Sequence, residues 1–170
     1  VPMKENEIYF AKINPNAIIP TKKLEDAGYD FYACFDADYL VIQSGETKPI
    51  PTGIATAFSP KYYAQVEERS SMAKLGIKKS GGVIDSGYRG EWLIMTYNTN
   101  KKPFVISKTD LDAVPETFEI DGVTYNKNEV ILYPYKKAIA QVVMQEVPDL
   151  QTKEVSYEEL LQEKSERGTG

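Results

Sequence analysis

The chain has 170 residues, of which 42% are hydrophobic and 26% charged, so it fits one ordinary globular domain with a sizeable core. Its net charge of −5 argues against nucleic acid as a partner, because a broad nucleic-acid surface requires clustered Lys and Arg. Histidine is absent and Cys34 is the only cysteine, which excludes Ser-His-Asp and Cys-His catalysis, an intrachain disulfide and a multi-cysteine zinc site.

Two further expectations follow from composition. Without histidine, any general base in the chain is expected to be a carboxylate. The sequence shows no long apolar run and no signal-peptide pattern, so a soluble, cytoplasmic protein without a membrane partner is expected.

Residues 8–58 alternate short runs of β-forming residues with turn residues. The runs are IYFAKI, YDFYACF, YLVI and IATAF, and the turns contain Asn14-Pro15, Ser44-Gly45 and Pro51-Thr52-Gly53. A further run, YYAQVEE, leads to Arg69-Ser70-Ser71, after which MAKLG predicts one or two helical turns ended by glycine. This pattern indicates a β-meander or barrel.

The second half continues the β pattern. EWLIMTY predicts one strand, the Asp121-Gly122 pair in TFEIDGVTY predicts a type I′ hairpin, and VILYPY and AIAQVVMQEV predict two more strands. Ser156 precedes Glu159 at capping-box spacing, and Leu160 and Leu161 supply an apolar face, so a short helix is expected there. We therefore predict a single all-β domain spanning 1–170, specifically a jelly-roll-like barrel.

The segment from Lys101 to Tyr135 is longer than a simple hairpin connection. Connections above about 12–15 residues are usually functional or disordered. We interpret residues of about 101–135 as an insertion, and two interpretations of it remain open: a hairpin packed on the barrel, or a surface that binds a partner.

The most informative stretch is GVIDSGYRGEW, residues 82–92. Its glycines allow the backbone to approach a ligand closely, and Asp85 and Tyr88 place a carboxylate and an aromatic ring on one tight turn. On these residues alone, a surface turn with a solvated Asp explains the pattern better than a site does. The whole stretch, however, resembles the third conserved motif of the trimeric all-β dUTPases (dUTP diphosphatases) at almost every position.

Four other stretches resemble the remaining motifs of that family, in the same order. They are AGYDF at 27–31, RSSMA at 69–73, AIAQ at 138–141 and RGTG at 167–170. There are two departures. Lys136 and Lys137 stand where the family usually has a glycine and an acidic residue, and the fifth motif stops before its Phe-containing remainder, which we expect beyond Gly170.

The resemblance implies a homotrimer with shared active sites that hydrolyses dUTP to dUMP and pyrophosphate with Mg²⁺. Asp85 would be the general base for a water that attacks the α-phosphorus, and it would accept a hydrogen bond from the 3′-hydroxyl. Tyr88 would lie against the deoxyribose and exclude a 2′-hydroxyl. Backbone groups of a hairpin at Gly82, Val83 and Ile84 would read the uracil.

The same resemblance assigns the triphosphate to Arg69, Ser70, Ser71 and Gln141. Arg167 and Gly168 would close over it from a mobile C-terminal arm of about residues 156–170. Asp30 would hold a water of the Mg²⁺ shell, in keeping with the tendency of magnesium to retain waters and to bind through substrate phosphates.

Two rival functions share this pattern. A dCTP deaminase relative has the same fold, although Asp85 together with Tyr88 favours phosphate hydrolysis. The other rival is a regulatory protein that keeps the dUTPase scaffold and binds a repressor. Phage members of the family can bind repressors, and some carry an insertion between the third and fourth motifs. The insertion favours a phage-like form and a phage or Gram-positive bacterial source.

Overall fold

The computed structural model describes residues 2–170, which form fourteen short strands and two short helices. The strands are β1 Tyr9–Lys12, β2 Tyr29–Phe31, β3 Tyr39–Ile42, β4 Thr47–Pro51, β5 Ile54–Ala57, β6 Tyr62–Glu67, β7 Ile77–Lys79, β8 Val83–Ile84, β9 Leu93–Asn98, β10 Phe104–Ser107, β11 Thr117–Ile120, β12 Val123–Asn126, β13 Ile131–Pro134 and β14 Ala140–Glu146. The helices are α1 Ser70–Ala73 and α2 Tyr157–Leu161, and 3₁₀ turns span Leu111–Ala113 and Lys127–Glu129. Neither helix is long or apolar enough to cross a membrane.

Within residues 2–170 the strands form five small sheets. Their strand orders are β1-β5, β13-β10-β3, β11-β12, β2-β14-β6-β8 and β4-β9-β7. All of these pairs are antiparallel except β10 with β13, which is parallel. The prediction of an all-β, jelly-roll-like barrel is therefore confirmed.

The core joins the first and third motif stretches. Phe31 ends β2 and Trp92 precedes β9, and their rings stack with centroids 4.7 Å apart. Both side chains are almost completely buried, and the Trp92 indole N–H donates a 3.0 Å hydrogen bond to Thr56 Oγ1, which satisfies the one polar atom of the ring. The strand that carries Asp30 and the turn after Asp85 are thus anchored to the same part of the interior.

Three local expectations need correction. The predicted strand YDFYACF is shorter, because only Tyr29–Phe31 pairs with β14. The strand β4 was not predicted, because its two prolines argue against a strand; it lies at the edge of its sheet, where proline is tolerated. The helix predicted from MAKLG begins earlier, at Ser70, so it contains both serines of the second motif.

The C-terminal capping box is confirmed. Ser156 Oγ accepts a 3.1 Å hydrogen bond from the Glu159 amide and donates one of 3.1 Å to its carboxylate. The apolar face is present but not buried, since Leu160 and Leu161 are 55% and 52% exposed. Every residue from 145 to 170 is exposed, so no side chain of the arm is buried against the protomer. Its start is joined to β6 by the end of β14 and by a 2.8 Å hydrogen bond from the Val147 amide to the Lys61 carbonyl.

The predicted type I′ hairpin is confirmed at Asp121-Gly122, where both residues have positive φ, 50° and 82°, and Ile120 pairs with Val123. The predicted insertion of about 101–135 is longer than the segment that lies outside the core sheets. The strands β10 and β13 pair with each other inside a core sheet, and only about 108–130 lies outside it.

The hairpin is packed on the barrel through a second apolar cluster. The buried members of this cluster are Val41, Val105, Val114, Phe118, Ile120 and Val130. The Phe118 ring lies between Tyr39 and Tyr125, with centroids 4.9 and 5.9 Å away. The packed-hairpin interpretation therefore holds at the inner face of the hairpin.

Phe118→Ala is expected to lower the free energy of unfolding by about 3 kcal/mol, because it removes a large buried side chain and leaves a cavity in the second cluster. Urea denaturation measures the change. Val123→Ala is the matched control on the same hairpin, since Val123 is exposed, and it should shift stability by less than about 0.5 kcal/mol. Equal stability of the two variants would contradict this packing.

Candidate active site

The third motif begins on β8, at the edge of the four-stranded sheet. Ile84 pairs with Ala64 of β6, and the Gly82 carbonyl accepts a 2.8 Å hydrogen bond from the Val66 amide. Gly82 has φ 121°, and an added Cβ would lie 3.1 Å from the Val66 carbonyl oxygen, so the position requires glycine. The hairpin predicted around 82–84 is not formed by β8 with the next strand, because β9 joins β4 and β7. The outer edge of β8 is left without a strand partner in its sheet.

The turn that follows presents Asp85 and Tyr88 at the surface. The Tyr88 amide donates to the Asp85 carbonyl at 3.1 Å, which closes the turn. The Tyr88 hydroxyl donates to the Glu91 carbonyl at 2.8 Å, and the ring lies over Gly90, where an added Cβ would be 2.5 Å from the hydroxyl oxygen. The ring of Tyr88 is therefore held in place by its own turn.

These residues border a surface cavity of about 240 Å³, which we call the turn pocket. It brings together Val83, Ile84, Asp85 and Tyr88, as the sequence predicts. It also contains three residues to which sequence analysis gave no role, Glu91, Leu93 and Met95.

The first, second and fourth motifs meet elsewhere. Gln141 of β14 pairs in register with Asp30 of β2, and Arg69 Nε lies 3.2 Å from Asp30 Oδ1. Gln141 Nε2 donates to the Glu68 carbonyl at 2.9 Å, which holds its amide beside Arg69. An added Cβ on Gly28 would be 2.6 Å from the Val142 carbonyl oxygen, so glycine permits this close approach of β2 and β14.

A second cavity of about 240 Å³, which we call the polar pocket, lies at this junction. Its lining is Asp26, Ala27, Gly28, Asp30, Arg69, Ser70 and Gln141. The structure thus brings together four of the residues that sequence analysis assigned to phosphates and magnesium, and adds Asp26, which that analysis did not single out. Ser71 is not part of the lining.

Ser71 instead contacts a residue that sequence analysis missed. Its Oγ lies 3.0 Å from the hydroxyl of Tyr133 on β13, which is 2% exposed. Burial raises the pKa of Tyr133 above its ordinary value, while the hydrogen bond with Ser71 acts in the opposite direction, so the hydroxyl stays protonated at neutral pH. No local pattern in VILYPY indicates this contact, because it joins residues far apart in sequence.

The turn before β14 forms with the two lysines in place. The Lys137 amide donates to the Pro134 carbonyl at 3.1 Å, which closes the turn before β14. Asp121 is the single non-glycine residue between 2 and 170 with positive φ, so Lys136 adopts an ordinary backbone conformation and the turn does not require glycine.

The fifth motif is not brought to either pocket. Arg167 and Gly168 lie on the exposed arm, where the Arg167 amide donates to Ser165 Oγ at 3.2 Å.

The two pockets are well separated within one protomer. Ile84 lies opposite Ala64 on the antiparallel strand β6, so the next residue, Asp85, is level with Tyr63. Arg69 lies six positions after Tyr63 along an extended chain. At the rise of a β-strand, this places the two residues about 20 Å apart along β6. One protomer therefore does not bring Asp85 and Arg69 to the same phosphorus atom.

A family model for dUTPase matches residues 14–111, more than half of the chain and all of the first three motif stretches. The chain belongs to the dUTPase family. A deoxyuridine 5′-triphosphate nucleotidohydrolase from Leptospira interrogans is 35% identical over 104 residues, which cover 59% of this chain and 71% of the relative. The corresponding enzyme from Clostridioides difficile is 40% identical over 101 residues, covering 57% and 68%. The chain is a dUTP diphosphatase.

Solved dUTPase structures have the same fold. The dUTPase of Staphylococcus bacteriophage 80alpha, solved with dUPNHPP, superposes with a TM-score of 0.71 at 22% identity, over 97% of this chain and 95% of the other. The dUTPase of phage phi11 of S. aureus, described for its species-specific insert, superposes with a TM-score of 0.64 at 22% identity over 88% and 96%. The phage-like form expected from the sequence is thereby confirmed at the level of the fold.

Gly90→Ala is expected to reduce kcat/KM for dUTP by about tenfold or more, because the new methyl group would displace the Tyr88 ring from the turn pocket. The matched control is Gly87→Ala, where an added Cβ meets nothing within 4 Å. Steady-state hydrolysis by the two variants tests this. If Gly87→Ala lost as much activity as Gly90→Ala, the contact with Tyr88 would not be the cause.

Proposed function

We propose that this dUTPase cleaves dUTP by attack of a water on the α-phosphorus, with Asp85 as the general base. The observation that carries the proposal is the exposed Asp85 carboxylate in a pocket beside the held ring of Tyr88 and the open edge of β8. A carboxylate within hydrogen-bond reach of the water can take its proton as the new P–O bond forms. Pyrophosphate leaves as the bond from the α-phosphorus to the bridging oxygen breaks.

Recognition of the nucleoside follows from the same pocket. An edge strand presents unpaired N–H and C=O groups on its outer side. The Gly82 carbonyl accepts from the Val66 amide, so in the antiparallel ladder Gly82 and Ile84 face β6, while the N–H and C=O of Val83 face outward and suit the donor and acceptor edge of uracil. Gly82, which has no side chain, lets the base approach. Tyr88 lies against the deoxyribose, where an added 2′-hydroxyl would collide with the ring, and this excludes UTP.

The triphosphate is bound by the polar pocket. Arg69, Ser70 and Gln141 supply donors, and Gln141 has one N–H left after its bond to Glu68. Phosphoryl transfer depends mainly on such positioning and on positive charge around the phosphates.

Magnesium fits this site as an ion carried by the substrate. Residues 2–170 contain no group of three or more His, Cys, Asp or Glu able to hold a metal ion, but the Asp30 carboxylate lines the polar pocket and could hold a water of the ion's shell. When bound, Mg²⁺ would neutralise charge on the triphosphate.

The protein acts as a homotrimer with shared sites. The separation of about 20 Å supports this, because Asp85 of one protomer needs the polar pocket of another. The outward face of β9 supports it as well, since Leu93, Met95 and Tyr97 are 43%, 39% and 36% exposed and form an apolar row suited to subunit contact. The exposed arm would bring Arg167 over the phosphates of a neighbouring site, as a charge-assisted contact.

Asp85→Asn is expected to lower kcat for dUTP by at least about 100-fold while leaving the affinity for a non-hydrolysable dUTP analogue within a few fold, because the amide keeps the shape but cannot act as the base. Asp121→Asn makes the same change on the tip of the peripheral hairpin and should be fully active. Ion-exchange analysis of reactions with dUTP or dCTP and Mg²⁺ gives the rates and separates hydrolysis from deamination. Near-normal turnover by Asp85→Asn would remove Asp85 from its role.

Mixed oligomers test the shared site. Asp85→Asn and Arg69→Ala should each be nearly inactive alone. Each proposed site takes Asp85 from one chain and Arg69 from the next chain around the ring. In a trimer that contains both variants, one of the three sites has both residues intact. Isolated mixed trimers should therefore recover about a third of wild-type activity. Co-expression with two different tags, followed by double affinity purification, isolates these trimers. A site built within one protomer predicts no activity above that of the two parents.

Partner binding by the hairpin stays a prediction. Its outer face is free, with Glu119 and Val123 exposed, while its inner face is used for packing. A repressor that used the hairpin should bind Phe118→Ala more weakly than wild type at a temperature where dUTP hydrolysis is retained. Unchanged affinity would exclude the hairpin as its main contact.

A further inference from the structure

The Tyr133 hydroxyl links two motifs that are far apart in sequence. It lies 3.0 Å from Ser71 Oγ in the second motif and 2.6 Å from the Ala138 carbonyl oxygen at the start of the fourth. Tyr133 is buried on β13, with its ring packed against Phe104 at 5.6 Å. Neither the recognition of uracil nor the hydrolysis proposed above uses this residue.

The directions of the two hydrogen bonds follow from proton counts. A carbonyl oxygen can only accept, so the single hydroxyl proton of Tyr133 goes to Ala138. The Ser71 hydroxyl must then be the donor in its contact with Tyr133. Its only proton points into the protein, and none is left to donate to a phosphate oxygen.

The environments of the two serines agree with this assignment. Ser70 is exposed and lines the polar pocket, whereas Ser71 is partly buried and absent from the lining. Two adjacent serines therefore face different surroundings, one towards the pocket and the other towards β13.

We propose that Tyr133 is a positioning residue for dUTP hydrolysis, which holds Ser71 against Ala138 and thereby sets Arg69, Ser70 and Gln141 relative to one another. In this arrangement Ser70 donates to the phosphates and the Ser71 hydroxyl does not. The inference rests on the proposed phosphate-binding role of the polar pocket and corrects the expectation that both serine side chains hold phosphate.

The geometry explains why one hydroxyl matters. Ser71 follows Ser70 directly on α1, and Ala138 lies three residues before Gln141, so displacement of either end moves a donor of the polar pocket. Misplacement of a bound group by about 1 Å can cost about 100-fold in rate.

A double-mutant cycle tests the proposal, with Tyr133→Phe, Ser71→Ala and the double variant. Ser71→Ala removes one hydrogen bond of the Tyr133 hydroxyl and should lower kcat/KM for dUTP by about tenfold, and Tyr133→Phe removes both hydrogen bonds and should lower it by at least as much. The double variant should be no worse than Tyr133→Phe, because Tyr133→Phe already removes the contact that Ser71→Ala breaks. Affinity for a non-hydrolysable triphosphate analogue should fall about tenfold, and affinity for dUMP should not change.

The matched control is Tyr125→Phe, which removes a hydroxyl that contacts Gln43 Nε2 at 2.7 Å on the peripheral hairpin. It should hydrolyse dUTP at the wild-type rate. If the Ser71 hydroxyl touched phosphate directly, Ser71→Ala would be impaired and Tyr133→Phe would not. That result, or independent losses that multiply in the double variant, would overturn the proposal.

Thermal unfolding shows whether each variant is folded. Should Tyr133→Phe not fold, the pair Ser70→Ala and Ser71→Ala decides. A positioning role predicts that Ser71→Ala costs less in the Ser70→Ala background than in wild type, because one of the three donors that it sets is already gone, whereas two direct phosphate contacts predict multiplied losses. The general base is tested separately. Full turnover by Asp85→Asn alongside the expected cycle would reject the base and leave the positioning role in place.

Discussion

The register of β14 between β2 and β6 decides which motif residues meet. Gln141 is paired with Asp30 on one side and with Glu67 on the other, while Val142, one position later, is buried between Tyr29 and Val66. A slip of one residue would move Val142 out of the core and turn Gln141 into it. Burial of the apolar residue therefore enforces the position of the polar one, and the polar pocket depends on this register.

The same sheet also keeps the two pockets apart. β8 pairs antiparallel with the middle of β6, so Asp85 continues towards the start of that strand, whereas Arg69 follows its end. A fold that assembles the polar pocket therefore carries Asp85 away from it. A strand is too stiff to bend through this distance. In the homotrimer proposed above, the catalytic arrangement would be completed across a subunit boundary, and the apolar row on β9 is the face that would be buried when the trimer forms.

Local patterns predicted much of the fold. The alternation of β-forming runs with turn residues located most strands, Asp121-Gly122 predicted its turn type, and Ser156 with Glu159 predicted a helix start, because each of these depends on neighbours in sequence. The pairing of β8 with β6, the proline-containing β4 and the Tyr133 contact were not predictable in this way. Each is decided by a partner distant in sequence, which composition and spacing do not identify.

The turn before β14 shows how a buried side chain can replace a local preference. Where the family usually has a glycine and an acidic residue, this chain has Lys136 and Lys137, so the turn lacks the conformational freedom of glycine. The hydrogen bond from Tyr133 to the Ala138 carbonyl spans the turn and holds its two ends together, and the Lys137 ammonium lies 5.5 Å from the centre of the same ring. Gln141 can therefore reach the polar pocket without glycine at the turn, because the buried Tyr133 holds the segment through this hydrogen bond.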